Sequence, residues 1–218
     1  MGILKNNTHS TIFSFINEIV KLMVKEIDND NELKRYLTYL TAQPLEDRSS
    51  NAKGKIIYQR DIKDSITKPI KICVDKNETD KKNFIEYSTI LYNMPYTFEK
   101  INTEYCTCFV YWNKCTTNVV SRQIFTIDVL VPSIYTELKP YKDNRGYLIL
   151  DRLADLFDKT SLDEKSKKEL GDLTFEIVGT PYAERITKSN DITLLSLNVG
   201  VDVLNVRGNK NGSVFRTW

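Results

Sequence analysis

The chain has 218 residues, with 31 basic against 29 acidic side chains and 41% hydrophobic residues. A chain of this length builds one domain whose core buries roughly 70% of the surface exposed when unfolded, which needs no disulfide or metal staple and excludes a mainly disordered protein. No apolar run approaches the roughly 20 residues that span a bilayer, and a single histidine, His9, removes dyads and triads built on histidine.

From Met1 and Gly2 to Thr11 the chain is polar and lacks the charged and apolar stretches of a signal peptide. The Met-Gly start fits part of a myristoylation pattern, but Asn6 stands where that pattern prefers Ser or Thr. Without a secretion signal, Cys73, Cys106, Cys108 and Cys115 read as reduced thiols, and cytoplasmic synthesis is expected. Residues 11–27 place Ile12, Phe13, Ile16, Ile19, Val20, Met23, Val24 and Ile27 on one helical stripe, with Ser10 or Thr8 able to cap its start. The opposite face mixes Glu18, Glu26, Lys21 and Lys25, which suits a helix docked on a larger body better than a membrane-surface helix. A second short helix over 32–41 turns Leu33, Tyr36, Leu37 and Leu40 inward.

Residues 42–69 are polar, with Pro44, Gly54 and Pro69 and a short apolar patch at 56–58. They predict a long connection with one short strand, extended along a surface; loops of this length usually lie over a partner or move. Strands follow at 70–74 and 84–92. Two β-rich runs, YCTCFVYW (105–112) and VVSRQIFTIDVLV (119–131), flank a polar turn and predict a hairpin stopped by Pro132. Phe125, Ile127, Val129 and Val131 share one face of the second run, with Ile124, Thr126, Asp128 and Leu130 on the other. A helix over 147–158 carries Leu150, Leu153, Ala154 and Phe157 inward. Ser161 with Glu164 resembles the capping box of a last helix ending at Gly171, and strands are expected at 173–178 and 192–206. The predicted fold class is α+β: an antiparallel sheet with a long hairpin, helices packed on one face, and an extended arm.

Charge is evenly spread, with 16 basic and 15 acidic groups in residues 1–109 and 15 and 14 in the remainder. A protein that binds nucleic acid through phosphates usually carries a basic face instead. The tyrosines Tyr87, Tyr92, Tyr96, Tyr105 and Tyr111 cluster around the hairpin; without a basic groove they read as core and interface, not as a platform for stacking bases. Phosphate loops of the GxxxxGK[ST] or GxGxxG type are absent. Cys106, Cys108 and Cys115 are the nearest approach to a zinc set, but the spacing is CxC and the fourth ligand would have to be Cys73, so packing on a strand face is the simpler reading. Asp151, Asp155 and Asp158 share a helical ridge that would suit a divalent cation or, equally, solvent or a neighbouring subunit. Asp128, inside an apolar strand, is expected on the solvent face, the alternative being a pair with an arginine across an interface. No catalytic, cofactor-binding or metal residue is assigned. The last twelve residues hold Arg207, Lys210 and Arg216 without an acid, and Phe215 and Trp218 are candidate subunit-interface anchors together with Arg207 and Arg216.

The order of hairpin (YCTCFVYW … FTIDVLVP), helix (RGYLILDRLADLFDK), short strand after glycine (LGDLTFEIVG) and final strand (LLSLNVGVDV) resembles the tail-terminator and neck proteins of tailed bacteriophages over roughly residues 100–206. The resemblance implies a non-enzymatic virion protein, without cofactors, that closes on itself as a sixfold or twelvefold ring between portal and tail. Its partners would be portal, adjacent-ring or tail proteins, with DNA only as passing cargo and no membrane. The alternatives are another assembly protein of the same fold class, or a metal-dependent nuclease using Asp151, Asp155 or Asp128. The chain divides on this reading into N-terminal helices (1–41), an arm (42–100), a compact core (101–206) and a basic tail (207–218).

Overall fold

The structure is a computed structural model and describes residues 12–51, 53–76, 83–100, 105–117, 121–133, 137–138, 143–158, 173–185 and 192–202. Its architecture is α+β. Helix α1 (Ile12–Asn29) buries Ile16, Ile19, Val20, Leu22, Met23 and Ile27, so the apolar stripe does face inward. Phe13 is the exception and points outward, 63% exposed. Helix α2 (Asn31–Thr38) starts at Asp30, whose carboxylate accepts a 2.7 Å hydrogen bond from the Leu33 amide, the usual way to satisfy one orphan N–H of a first turn.

Short strands then pair as two small hairpins. One joins β1 (Arg48–Ser50) to β2 (Ile56–Tyr58), the other β3 (Ile70–Cys73) to β4 (Phe84–Tyr87). β5 (Leu91–Tyr92) runs parallel to the start of β6 (Thr107–Thr117), which pairs antiparallel with β7 (Ser121–Pro132) through a register shift between Trp112 and Lys114. The small ladder of β8 (Glu137–Leu138) with β9 (Asp143–Asn144) leads into α3 (Arg145–Phe157). β10 (Phe175–Ile177) and β11 (Tyr182–Arg185) both pair with β12 (Ile192–Asp202), which lies against β7 along its whole length. The main sheet is ordered β10-β12-β7-β6-β5, with β11 beside β10 on the same edge of β12.

Alternation along the long strands assigns the two faces. Cys108, Val110, Phe125, Ile127, Val129, Val131, Leu195, Leu197, Val199 and Val201 turn to the helices and share one continuous core with α1, α2 and α3. Gly146, in the first turn of α3, lets that helix approach β12: a Cβ at this position would run into the Leu195 side chain. The opposite face carries a smaller cluster of Phe109, Leu130, Ile192 and Leu194, roofed by Tyr92, Met94 and Tyr96.

Residues 42–100 differ from the extended connection read in the sequence. Ile62, Ile66, Ile70, Tyr87, Ile90 and Leu91 belong to the main core. The path of the backbone is held by side chains of the α1–α2 corner. The Lys34 ammonium donates to the carbonyls of Ile62 and Asp64 at 3.2 and 2.9 Å, the Ile62 amide donates to Asn31 Oδ1 at 2.9 Å, and the Ile66 amide to Asp28 Oδ1 at 2.8 Å. This stretch is therefore part of the folded body, fastened through main-chain groups that no hydrophobic pattern reveals.

Candidate functional site

The face of the sheet away from the helices holds the one buried carboxylate of the strands described. Asp128 sits at the middle of β7, opposite Phe109 on β6 and Ser196 on β12, and is 2% exposed. Its Oδ2 accepts from the Tyr111 hydroxyl at 2.8 Å and its Oδ1 accepts from the Ser196 hydroxyl. One step along the ladder, Asn113 donates to Thr126 Oγ1 at 2.9 Å, and Thr126 Oγ1 donates to Asn198 Oδ1 at 2.8 Å. Three adjacent strands are thus stitched by polar side chains on a single face. Burial pushes the Asp128 carboxyl above its ordinary value, a rise that the Ser196 and Tyr111 hydroxyls partly oppose. Burial, followed by the hydrogen bond to Asp128 and its charge, pushes the Tyr111 phenol up in turn.

This placement corrects the expectation for Asp128. It is buried and does not face solvent, and among the described residues its partners are two hydroxyls. Alternation assigned its face correctly, but whether a face is covered depends on what the rest of the chain lays over it. Each oxygen of the carboxylate accepts one hydroxyl, and the two bonds tie β6 and β12 to β7.

At the end of the same face, Arg122 forms a fork with Asp202, Nε to Oδ1 at 2.7 Å and Nη2 to Oδ2 at 2.8 Å, and also reaches Glu176 at 2.9 Å. β7, β12 and β10 are clamped there. The arrangement holds the Asp202 carboxyl below its ordinary value, first through the hydrogen bond from Arg122. On the helix side, the wholly buried Arg145 sends Nη1 to the carbonyls of Tyr36 and Tyr39 at 2.7 and 3.0 Å and Nη2 to the carbonyl of Thr41. Its guanidinium closes the C-terminal end of α2, where helix carbonyls lack partners and a cation is favoured. An arginine directly ahead of an apolar helix is the only signal in the sequence, and it does not say where the side chain reaches.

The remaining candidates do not come together. Asp151, Asp155 and Asp158 are exposed on or just beyond α3, which packs on the helix side of the sheet, whereas Asp128 lies on the other side. No group of three or more metal-ligating side chains is found among the described residues. Cys106 and Cys108 are buried at the start of β6, and burial raises the Cys106 thiol to about 11 against a smaller opposing influence of Arg145. Cys115 is exposed, seven residues further along the same strand, about 23 Å away at strand rise. Cys73 belongs to a separate small sheet.

The tyrosines split between the two faces. Tyr87 packs edge-on to Tyr105 at 5.5 Å, both buried in the main core, while Tyr92 stacks on Phe109 at 5.0 Å and Tyr96 meets that ring edge-on at 6.3 Å. Their rings are committed to one another. His9, the 161–171 helix with Ser161, Glu164 and Gly171, and the anchors Arg207, Phe215, Arg216 and Trp218 lie outside the described residues.

Two shallow clefts are open among the described residues, one of about 430 Å³ beside α1 and β5, lined by Lys21, Val24, Thr67 and Leu91. Between α3 and β11 a shallow cleft of about 290 Å³ is lined by Tyr147, Leu150, Asp151, Ala154 and the 181–183 backbone turn into β11. Tyr147 is 58% exposed there, whereas Tyr182, paired with Ser196, turns its side chain to the other face of the sheet. Among the described residues no helix is long and apolar enough to cross a membrane. No protein-family model matches the chain, and no curated protein is similar to it in sequence.

Proposed function

We propose that this chain is a non-enzymatic structural subunit of a tailed-phage virion, closing into a ring in the neck or tail that bridges portal and tail components around passing DNA. The observation that carries the reading is the arrangement of the hairpin β6–β7, β12 paired along the whole of β7, and the helix α3 laid against β7 and β12. Strands of 11 and 12 residues span about 36–40 Å and are twice the usual length, as a wall that must bear load between two stacked parts requires. Asp128, Thr126 and Arg122 are spent on side chains of the neighbouring strands, which suits a part more than a catalyst. Balanced charge suits a lumen that lets DNA slide, since a strongly basic channel would hold phosphates tightly.

The test is the mass of the purified full chain in solution, by sedimentation over a wide concentration range and by electron microscopy. A closed ring of one stoichiometry, sixfold or twelvefold, is the expected result. A monomer at every concentration, with or without a portal-like partner, overturns the reading.

A further inference from the structure

We infer that the open side of β6 beyond β5 pairs with the outer side of β11 in a second copy of this chain, placing Trp112 in that copy's cleft between α3 and β11. The inference rests on the ring reading and names the joint between its subunits. A cyclic assembly joins unlike surfaces head to tail, so two different edges of one sheet can serve as the two halves of its joint.

β5 covers β6 only at Cys108 and Phe109, and from Val110 to Lys114 no described strand lies on that side. β11 pairs with β12 through Tyr182–Arg185, and no described strand pairs with its other side. β11, β12, β7 and β6 alternate in direction. A second copy set beside the first in the same orientation therefore brings its β6 antiparallel to β11, with the helices of both copies on the same side of the sheet. Two such edges join through main-chain hydrogen bonds while alternate side chains fill pockets on either face.

Side chains complement each other on both faces. Trp112 lies opposite Phe125 and so points to the helix side, where its Nε1–H donates to Gln123 Oε1 at 3.0 Å and the residue is 36% exposed. Ala183, opposite Leu195, also points to the helix side, and its small methyl leaves the cleft of about 290 Å³ open beside Tyr147, Leu150 and Ala154. With Trp112 set across from Ala183, the indole enters that cleft, a large ring held in position before contact. On the other face Lys114, level with Ile124, and Glu184, level with Leu194, are both exposed and carry opposite charges. The same register brings them to diagonal places, within reach of a long side chain. Lys114 and the register shift before it hinder two β6 edges from pairing with each other, since lysine would approach lysine. An edge that carries an acid removes that obstacle and selects β11.

The experiment uses three full-length variants, Lys114→Glu, Glu184→Lys and Trp112→Ala, with folding checked by circular dichroism and self-association read by sedimentation. Each variant alone should associate about tenfold more weakly than the unaltered chain, or weaker still. Mixing the two charge variants in equal amounts should restore assembly, because every joint of an alternating ring then sets a lysine against a glutamate. If Trp112→Ala fails to fold, the charge pair decides alone, since both of its residues are exposed. Variants that assemble as readily as the unaltered chain, or a mixture no stronger than its parts, overturn the docking and leave the ring reading standing. Open, growing chains that the mixture restores support the docking and overturn the closed ring. An unaltered chain that stays monomeric, or stops at two copies, overturns both.

Discussion

The carboxylate of Asp30 serves two helices at once: one oxygen caps α2 through the Leu33 amide, and the other receives the guanidinium of Arg152 from α3, 122 residues later in the chain. Asp30 is nearly buried while Arg152 is about one-third exposed, so the pair is screened on one side only. Removing the carboxylate loses both bonds. Asp30→Ala should cost about 2 kcal/mol in urea unfolding, and Asp30→Asn, which keeps a capping oxygen, about 1 kcal/mol. Equal losses in the two variants would show that the cap contributes nothing and the pair with Arg152 carries the effect.

Arg145 should be among the costliest positions to change. Arg145→Met would leave the carbonyls of Tyr36, Tyr39 and Thr41 buried without this donor, a loss of about 3–5 kcal/mol. Arg145→Lys keeps the charge but loses the fork that spans separate carbonyls, and should fall between the two in chemical denaturation.

Asp128 predicts a distinctive pH response. Because its folded value lies above the unfolded one, its contribution to stability is full below the unfolded value, about 3.8, and is lost as pH rises through the folded value. Asp128→Asn mimics the protonated form and can still bond both hydroxyls. It should match the unaltered chain in acid and exceed it in unfolding free energy near pH 7. Asp128→Ala strands the Tyr111 and Ser196 hydroxyls and should destabilise by about 2 kcal/mol in acid and by less near pH 7. Denaturant titrations at the two pH values check the sign.

Gly146→Ala should destabilise by about 1–3 kcal/mol, since the added methyl drives into Leu195 where α3 meets β12. Shortening the obstacle with Leu195→Val should recover part of the loss in the double variant. Strict additivity of the two changes would rule out the contact as the cause.

The thiols should separate cleanly in native labelling. Cys115 is exposed and Cys106 and Cys108 are buried, with the Cys106 thiol held near 11. A mild disulfide reagent should modify Cys115 at once and leave Cys106 and Cys108 until the protein unfolds. Cys115→Ser should remove the fastest phase and leave the half-buried Cys73 as the next thiol to react.

Much of this architecture is legible in the sequence because it repeats. The period of α1, the alternation of β6, β7 and β12, and the stop at Pro132 all announce themselves. β11 does not: YAER has no alternating apolar face, and it becomes a strand because β12 offers an edge to pair with. Residues 42–100 fold onto the helix corner through Lys34, Asn31 and Asp28 bonding main-chain groups, and such bonds depend on distance, not on residue pattern. The same limit hid the Asp128 cluster. A polar residue on one strand is ambiguous until the strands beside it set Tyr111 and Ser196 within reach.

The grip of Arg145 on the end of α2 also bears on the order in which the protein comes into being. The contacts that finish α2 bridge more than a hundred residues of chain, as do those from Arg152 to Asp30. β12, the last of the described strands, supplies the longest pairing in the sheet. On the ribosome the first forty residues emerge early and must wait, partly formed, for a segment synthesised much later. Folding dominated by such distant pairings is expected on the millisecond-to-second scale. A fold closed by pairings this distant becomes rigid only once β12 has been made.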